Sequence, residues 1–173
     1  MREILDFKDA GDRSWTVVND GVMGGRSTSD VERTDRDTLR FSGHVSLENN
    51  GGFASTRTEL GPVDLSAFEG VALRVRGDGR RYQLRLRMQT GDRIAYKAAF
   101  ETEPDRWSEV HLSFDDFVPT FRGRRPPDAP PLDPGHIGQL GFLIADRREG
   151  PFELEVDWVR AYGGREIAGT AAS

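Results

Sequence analysis

Strict two-residue alternation of apolar and polar positions recurs along this chain and predicts strands. Val71, Leu73 and Val75 alternate with Ala72, Arg74 and Arg76, and Tyr82, Leu84, Leu86 and Met88 alternate with Gln83, Arg85 and Arg87. A period of two places successive side chains on opposite faces of an extended strand, so each run has one apolar face and one polar face. Ile94, Tyr96, Ala98 and Phe100 carry the pattern on, with turn chemistry at Gly77–Gly79 and Thr90–Asp92, which predicts a meander of hairpins. Further strands are expected at 15–18, 39–45, 53–58, 107–112, 139–145 and 152–160. No segment shows apolar recurrence at three and four positions over a helical length; Leu65–Phe68 and Phe114–Phe117 suit single turns. Many short strands with Gly and Pro turns predict one all-β sandwich or barrel over residues 1–162, followed by a tail at 163–173.

Two runs differ from simple amphipathic strands. In Leu140–Ala145 both faces are apolar, the pattern of a central strand covered on both sides. Phe152, Leu154, Val156 and Trp158 alternate with Glu153, Glu155 and Asp157, which predicts a core face and an acidic face. If 71–76 and 82–88 form a hairpin, Arg74, Arg76, Arg85 and Arg87 share one outward face. Four like charges on neighbouring strands repel unless opposite charge lies across from them. The acidic face of 152–158 can neutralise them within the sheet. Alternatively they form an arginine-lined binding surface, since guanidinium forks suit carboxylates and sugar hydroxyls.

Trp15–Ser27, WTVVNDGVMGGRS, concentrates turn chemistry after an apolar run. A phosphate cradle needs a helix after the glycines, and Ser27–Thr34 has no helical periodicity and no Lys-Ser or Lys-Thr pair. Asn19, Asp20, Gly21, Gly24 and Gly25 are therefore expected to build a structural corner. The Phe121–Pro134 stretch, interrupted by prolines, suits a long surface loop whose Phe121, Arg122 and Arg124 offer a second candidate binding site.

Charge narrows the partners. With 24 basic against 29 acidic residues the formal charge is −5, which argues against a nonspecific nucleic-acid binder. The absence of cysteine excludes disulfides, thiolate metal sites and a cysteine nucleophile. No apolar run is long enough to span a bilayer as a helix, so no stable membrane insertion is expected. The first fourteen residues lack an apolar leader core, which points to a cytoplasmic protein. His44, His111 and His136 lack ligand spacing, and Asp115 with Asp116 reads as turn chemistry. Asp6, Asp9, Asp12 and Asp157 lack the spacing of a calcium loop, so no metal or cofactor is assigned. No serine sits in a nucleophile elbow, and no catalytic residue is assigned.

Four segments also resemble the complex I intermediate-associated protein family: WTVVNDGVMGGRS, NNGGFASTR (Asn49–Arg57), DLSAFEGVALRVRGDGRRYQLRLR (Asp64–Arg87) and IGQLGFLIADRREGPFELEVDWVRAY (Ile137–Tyr162). The resemblance runs in order over about residues 5 to 162. It implies a galactose-binding-domain-like jelly roll. It also implies a non-enzymatic protein-binding module related to an assembly factor of respiratory complex I, with respiratory-complex subunits as partners; the family contains mitochondrial and bacterial members. Sandwiches of this type also bind carbohydrate, which is the alternative reading. For that reading Trp107, Tyr82 and Tyr96 are the aromatics that would have to be exposed.

Overall fold

The structure is a computed structural model that describes residues 1–7, 15–19, 26–48, 52–88, 94–121 and 124–164. Twelve strands are described: β1 (Arg2–Asp6), β2 (Thr16–Asn19), β3 (Thr28–Arg33), β4 (Leu39–Val45), β5 (Ala54–Val63), β6 (Gly70–Arg76), β7 (Arg81–Met88), β8 (Ala95–Glu101), β9 (Trp107–Ser113), β10 (Val118–Thr120), β11 (Ile137–Ile144) and β12 (Gly150–Tyr162). They form two antiparallel six-stranded sheets. Sheet A has the order β3-β4-β12-β6-β9, with β1 also paired to β12, and sheet B has the order β10-β8-β7-β11-β5-β2. Single 3-10 turns occupy Phe114–Asp116 and Pro134–His136, and Ser113 caps the first by accepting from the Asp115 amide at 3.2 Å. Of the sandwich or barrel that the alternation predicts this is the sandwich, and it is the jelly roll that the family resemblance implies.

The core lies between the sheets. Phe41, Leu73, Val75, Leu154 and Val156 from sheet A face Tyr82, Leu84, Leu86, Tyr96, Leu140 and Phe142 from sheet B. Phe152 of sheet A meets Tyr82 of sheet B edge-on at 6.4 Å and Phe41 at 4.9 Å. Such ring contacts add about 0.5–1.5 kcal/mol beyond area burial. β11 lies between β7 and β5 and is buried along nearly its whole length, as its two apolar faces predict.

Three expectations are corrected. β6 and β7 do not form a hairpin; β6 pairs with β12 and β9, whereas β7 pairs with β8 and β11. Residues 77–80 are a corner that carries the chain from one sheet to the other. Asp78 organises it, accepting from the Arg80 amide at 3.1 Å, the Glu153 amide at 2.8 Å and the Tyr82 hydroxyl at 3.0 Å. Gly77 is required there, because a Cβ would fall 2.2 Å from the Thr102 side chain. Alternation fixes a strand's faces and is silent on which sheet receives it.

The acidic face of β12 is the second correction. Glu155 is only 1% exposed. Its carboxylate accepts from Arg76 at 2.8 Å, Arg36 at 3.2 Å and the Thr38 hydroxyl at 2.5 Å. Third, the register against β6 shifts between Val156 and Trp158, so one extra residue enters the strand. Val159 and Ala161 continue the core after Val156, and Trp158, although buried, lies outside the core cluster with the Arg160 guanidinium 4.1 Å from its ring. The bulge exchanges the faces that strict alternation assigns.

Candidate functional site

Because β6 and β7 belong to different sheets, the four arginines separate into two pairs on opposite outer faces. Directly opposed residues share a face, so the registers define rows across each sheet. On sheet A one row reads Glu32, Arg40, Glu155, Arg76, Trp107. Its charges alternate in sign. Arg40 pairs with Glu32, Arg76 with Glu155, and in the next row Arg74 reaches Asp157 at 3.2 Å. The guanidinium groups of Arg74 and Arg76 also lie 5.1 and 5.7 Å from the Trp107 ring centre. Arg74 and Arg76 are thus neutralised within their own sheet, as the acidic final strand allowed.

Sheet B differs. Its central row reads Val118, Lys97, Arg85, Gly141, Arg57, Thr16. Three cations lie on three of four consecutive strands, and the fourth position is glycine. Among the described residues Lys97, Arg85 and Arg57 form no ion pair, and Arg85 donates only to the Gln83 side chain, at 3.1 Å. Burial pushes the Arg85 guanidinium down to about 10, and the neighbouring charge of Arg87 acts in the same direction. It still carries its charge at neutral pH.

The flanking rows on this face are mixed, with a buried Leu143 in one of them. Ala99, Gln83, Leu143 and Ser55 form one, and Arg87, Gln139 and Glu59 form the other. Gln139 donates to Glu59. Gly141 is buried, and a Cβ there would meet the Thr56 carbonyl oxygen at 2.5 Å and the Arg57 Cβ at 3.0 Å, so glycine is what lets β11 and β5 close on each other at this point of the row. A groove of about 580 Å³ adjoins the row at its Lys97 end, where Gln83, Ala99 and Val118 contribute walls. Its carboxylates include Glu101, paired with Arg81 at 3.5 Å, and Asp146, which belongs to a buried clasp.

That clasp was not legible in the sequence. Arg80, 5% exposed, holds Asp146 through two hydrogen bonds of 2.6 and 2.8 Å and donates to the carbonyls of Arg148, Gly150 and Pro151. It fastens the sheet-crossing corner to the β11–β12 connection. Burial pushes the Asp146 carboxyl up, but the hydrogen bonds and charge of Arg80, with the amide and charge of Arg148, outweigh it and hold the group below its ordinary range. All five guanidinium donors serve the fold.

The other candidate residues separate clearly. Asn19 accepts from the Ser29 hydroxyl at 2.8 Å and the Ser55 amide at 3.3 Å, joining edges of both sheets; Asp20, Gly21, Gly24 and Gly25 lie outside the described residues. Phe121 and Arg124 close a small turn by two backbone hydrogen bonds, and Arg122 is outside the described residues. The loop they begin is anchored where Pro130 accepts from the Tyr96 hydroxyl at 2.7 Å. Tyr82 and Tyr96 are completely buried, as their positions in the alternation predict. Of the acidic calcium candidates, Asp157 is held by Arg74, Asp6 pairs in register with Trp158, and Asp9 and Asp12 lie outside the described residues. Among the described residues no cluster of three metal-ligating side chains forms.

The family model described as Complex I intermediate-associated protein 30 matches residues 5–156. The mouse mitochondrial protein of that name is 28% identical over 93% of this chain and 56% of its own length. The Drosophila melanogaster mitochondrial protein is 25% identical over 90% of this chain and 61% of its own. The chain thus spans little more than half the length of these relatives. Among solved structures, a family 11 carbohydrate-binding module from Clostridium thermocellum in complex with a mixed-linked tetrasaccharide superposes with a TM-score of 0.68 at 17% identity, covering 94% of this chain and 95% of the module. A family 30 carbohydrate-binding module gives 0.62 at 16% identity, covering 98% and 92%. These likenesses show the shared sandwich fold. The expectation of a cytoplasmic protein is overturned by the relatives, which are named as mitochondrial. It rested on the apolarity of fourteen residues, whereas the sandwich itself, which sets charge and hydropathy, carries no address.

Proposed function

The chain belongs to the Complex I intermediate-associated protein 30 family, and on that basis we propose that it is a non-catalytic protein-binding module that acts on intermediates of respiratory complex I during assembly. The observation that carries this reading is the family match across residues 5–156, which takes in both sheets. The surface is consistent with a binding role: sheet B presents cations without an ion-pair partner among the described residues, while sheet A pairs its arginines with its own carboxylates. Phe121 and Arg124, at the start of the proline-rich loop, are the second candidate contact.

Carbohydrate binding is the alternative. It is weakened by the aromatics, because Tyr82 and Tyr96 are core residues and the Trp107 ring lies against two guanidinium groups. Affinity capture with the tagged chain from its own host tests the assembly reading. Recovery of complex I subunits or assembly intermediates is the expected result, and a glycan-array signal without any such protein would replace it with the carbohydrate reading.

A further inference from the structure

The outer faces of the two sheets obey opposite rules. On sheet A, neighbours across strands alternate in sign and are ion-paired. On sheet B, Arg85 lies directly opposite Lys97, and Arg57 follows one strand beyond Gly141. Like charges placed directly opposite on neighbouring strands destabilise a sheet. In a chain with a formal charge of −5, carboxylates to neutralise this row are plentiful, yet among the described residues none pairs with Lys97, Arg85 or Arg57. Glu59, the acid on the adjacent row, is engaged by Gln139. Arg85 is also partly withdrawn from water, so its charge is poorly solvated as well as without an ion-pair partner among the described residues.

We propose that the outer face of sheet B docks an extended, carboxylate-rich segment of a partner protein, with Lys97, Arg85 and Arg57 as the cations that bind it. This rests on the protein-binding reading above. Lys97 to Arg57 spans three strand spacings of ~4.8 Å, or about 14 Å, which an extended segment of about five residues covers. Acidic side chains on one side of such a segment recur about every 7 Å and meet the row repeatedly. Guanidinium groups donate paired hydrogen bonds to carboxylates, and Arg85 and Arg57 are separated only by Gly141, which adds no side chain between them. The groove beside Lys97 extends the path toward Gln83 and Ala99. The named residues of this face carry no aromatic ring, which favours an acidic peptide over an acidic polysaccharide, since rings are the usual platform for sugars.

The test uses the whole chain and a fluorescein-labelled peptide of about twelve residues with alternating Glu and Ser, read by anisotropy. Saturable binding is expected, absent for the Gln-Ser analogue and weakened about tenfold or more between about 50 and about 200 mM salt, as screening shortens the Debye length. The triple variant Lys97→Gln, Arg85→Gln, Arg57→Gln should lose at least about tenfold in affinity, whereas Arg160→Gln on sheet A should bind as the wild type does. Peptide-induced NMR shifts on the wild-type chain should fall on β5, β7, β8 and β11, which keeps the test valid if the triple variant folds poorly. No peptide binding, unchanged binding by a folded triple variant, shifts confined to sheet A, or binding of oligogalacturonate in place of the peptide would each overturn the proposal. Capture of complex I intermediates that survives the triple substitution would also overturn it while leaving the assembly reading intact. Peptide binding through this row without any such capture would support the site and refute the assembly reading.

Discussion

Replacing Arg80 with Met should be among the most destabilising single changes outside the apolar core. Arg80 is 5% exposed, and its guanidinium satisfies both oxygens of Asp146 and three backbone carbonyls at the junction of the two sheets. Methionine fills much of the volume but leaves the Asp146 carboxylate, 6% exposed, without its counter-ion. Removing one partner of a buried pair costs about 3–5 kcal/mol, because the survivor keeps its desolvation penalty. Against a total stability of about 5–15 kcal/mol this is a large fraction. At roughly 2–4 °C per kcal/mol for a chain of this size, the melting temperature should fall by about 6–20 °C. Urea unfolding followed by tryptophan fluorescence measures the difference directly. A cycle with Asp146→Asn should show the double variant losing roughly 1–3 kcal/mol less than the sum of the single variants.

The pH dependence supplies an independent check. In the wild type the Asp146 carboxyl lies below its ordinary value of 3.8, so the clasp contributes its full stabilisation above that pH and loses it as pH falls through the folded value. In Arg80→Met, burial, the largest single influence on this carboxyl, is opposed only by the Arg148 amide and charge, and the carboxyl should rise. The gap between the two proteins should therefore be widest near pH 7, shrink as pH falls through the raised value in the variant, and close further below pH 3.8 as the wild-type clasp protonates. A variant melting within about 2 °C of the wild type, or a gap independent of pH, would refute the reasoning.

Other changes follow from the same geometry. Glu155→Ala should cost about 1–3 kcal/mol in urea titration, because Arg76 and Thr38 lose a buried acceptor while Arg36, mostly exposed, can rehydrate; a loss below about 0.5 kcal/mol would mean that Glu155 is solvated. Leu154→Ala, a completely buried core truncation, should cost about 2–5 kcal/mol on the same assay, and a loss below about 1 kcal/mol would contradict its packing. Arg85→Met should raise stability by about 1 kcal/mol, since it removes a partly buried, unneutralised cation facing Lys97; destabilisation of similar size would show that the row contributes to the fold.

The sequence by itself determined the fold class, most strand positions and most of the core, because a period of two is a local property that any half-buried strand must write into its own residues. Tyr82 and Tyr96 are core for that reason, and β11 reads as central from its two apolar faces. Local pattern is weaker where polarity does not oppose burial: β1, β3 and β10 are short and polar or proline-containing, and the alternation predicts no strand there. Only the tertiary structure decided which sheet each strand joins. That choice separates Arg74 and Arg76 from Arg85 and Arg87, and it brings Lys97 and Arg57, far apart along the chain, into one row with Arg85. The bulge before Trp158 and the burial of Glu155 are likewise settled by contacts with β6 and with residues 36–38, which the alternation of β12 cannot record. Charge on a strand is a local fact, but whether that charge is neutralised depends on residues brought opposite it by the fold.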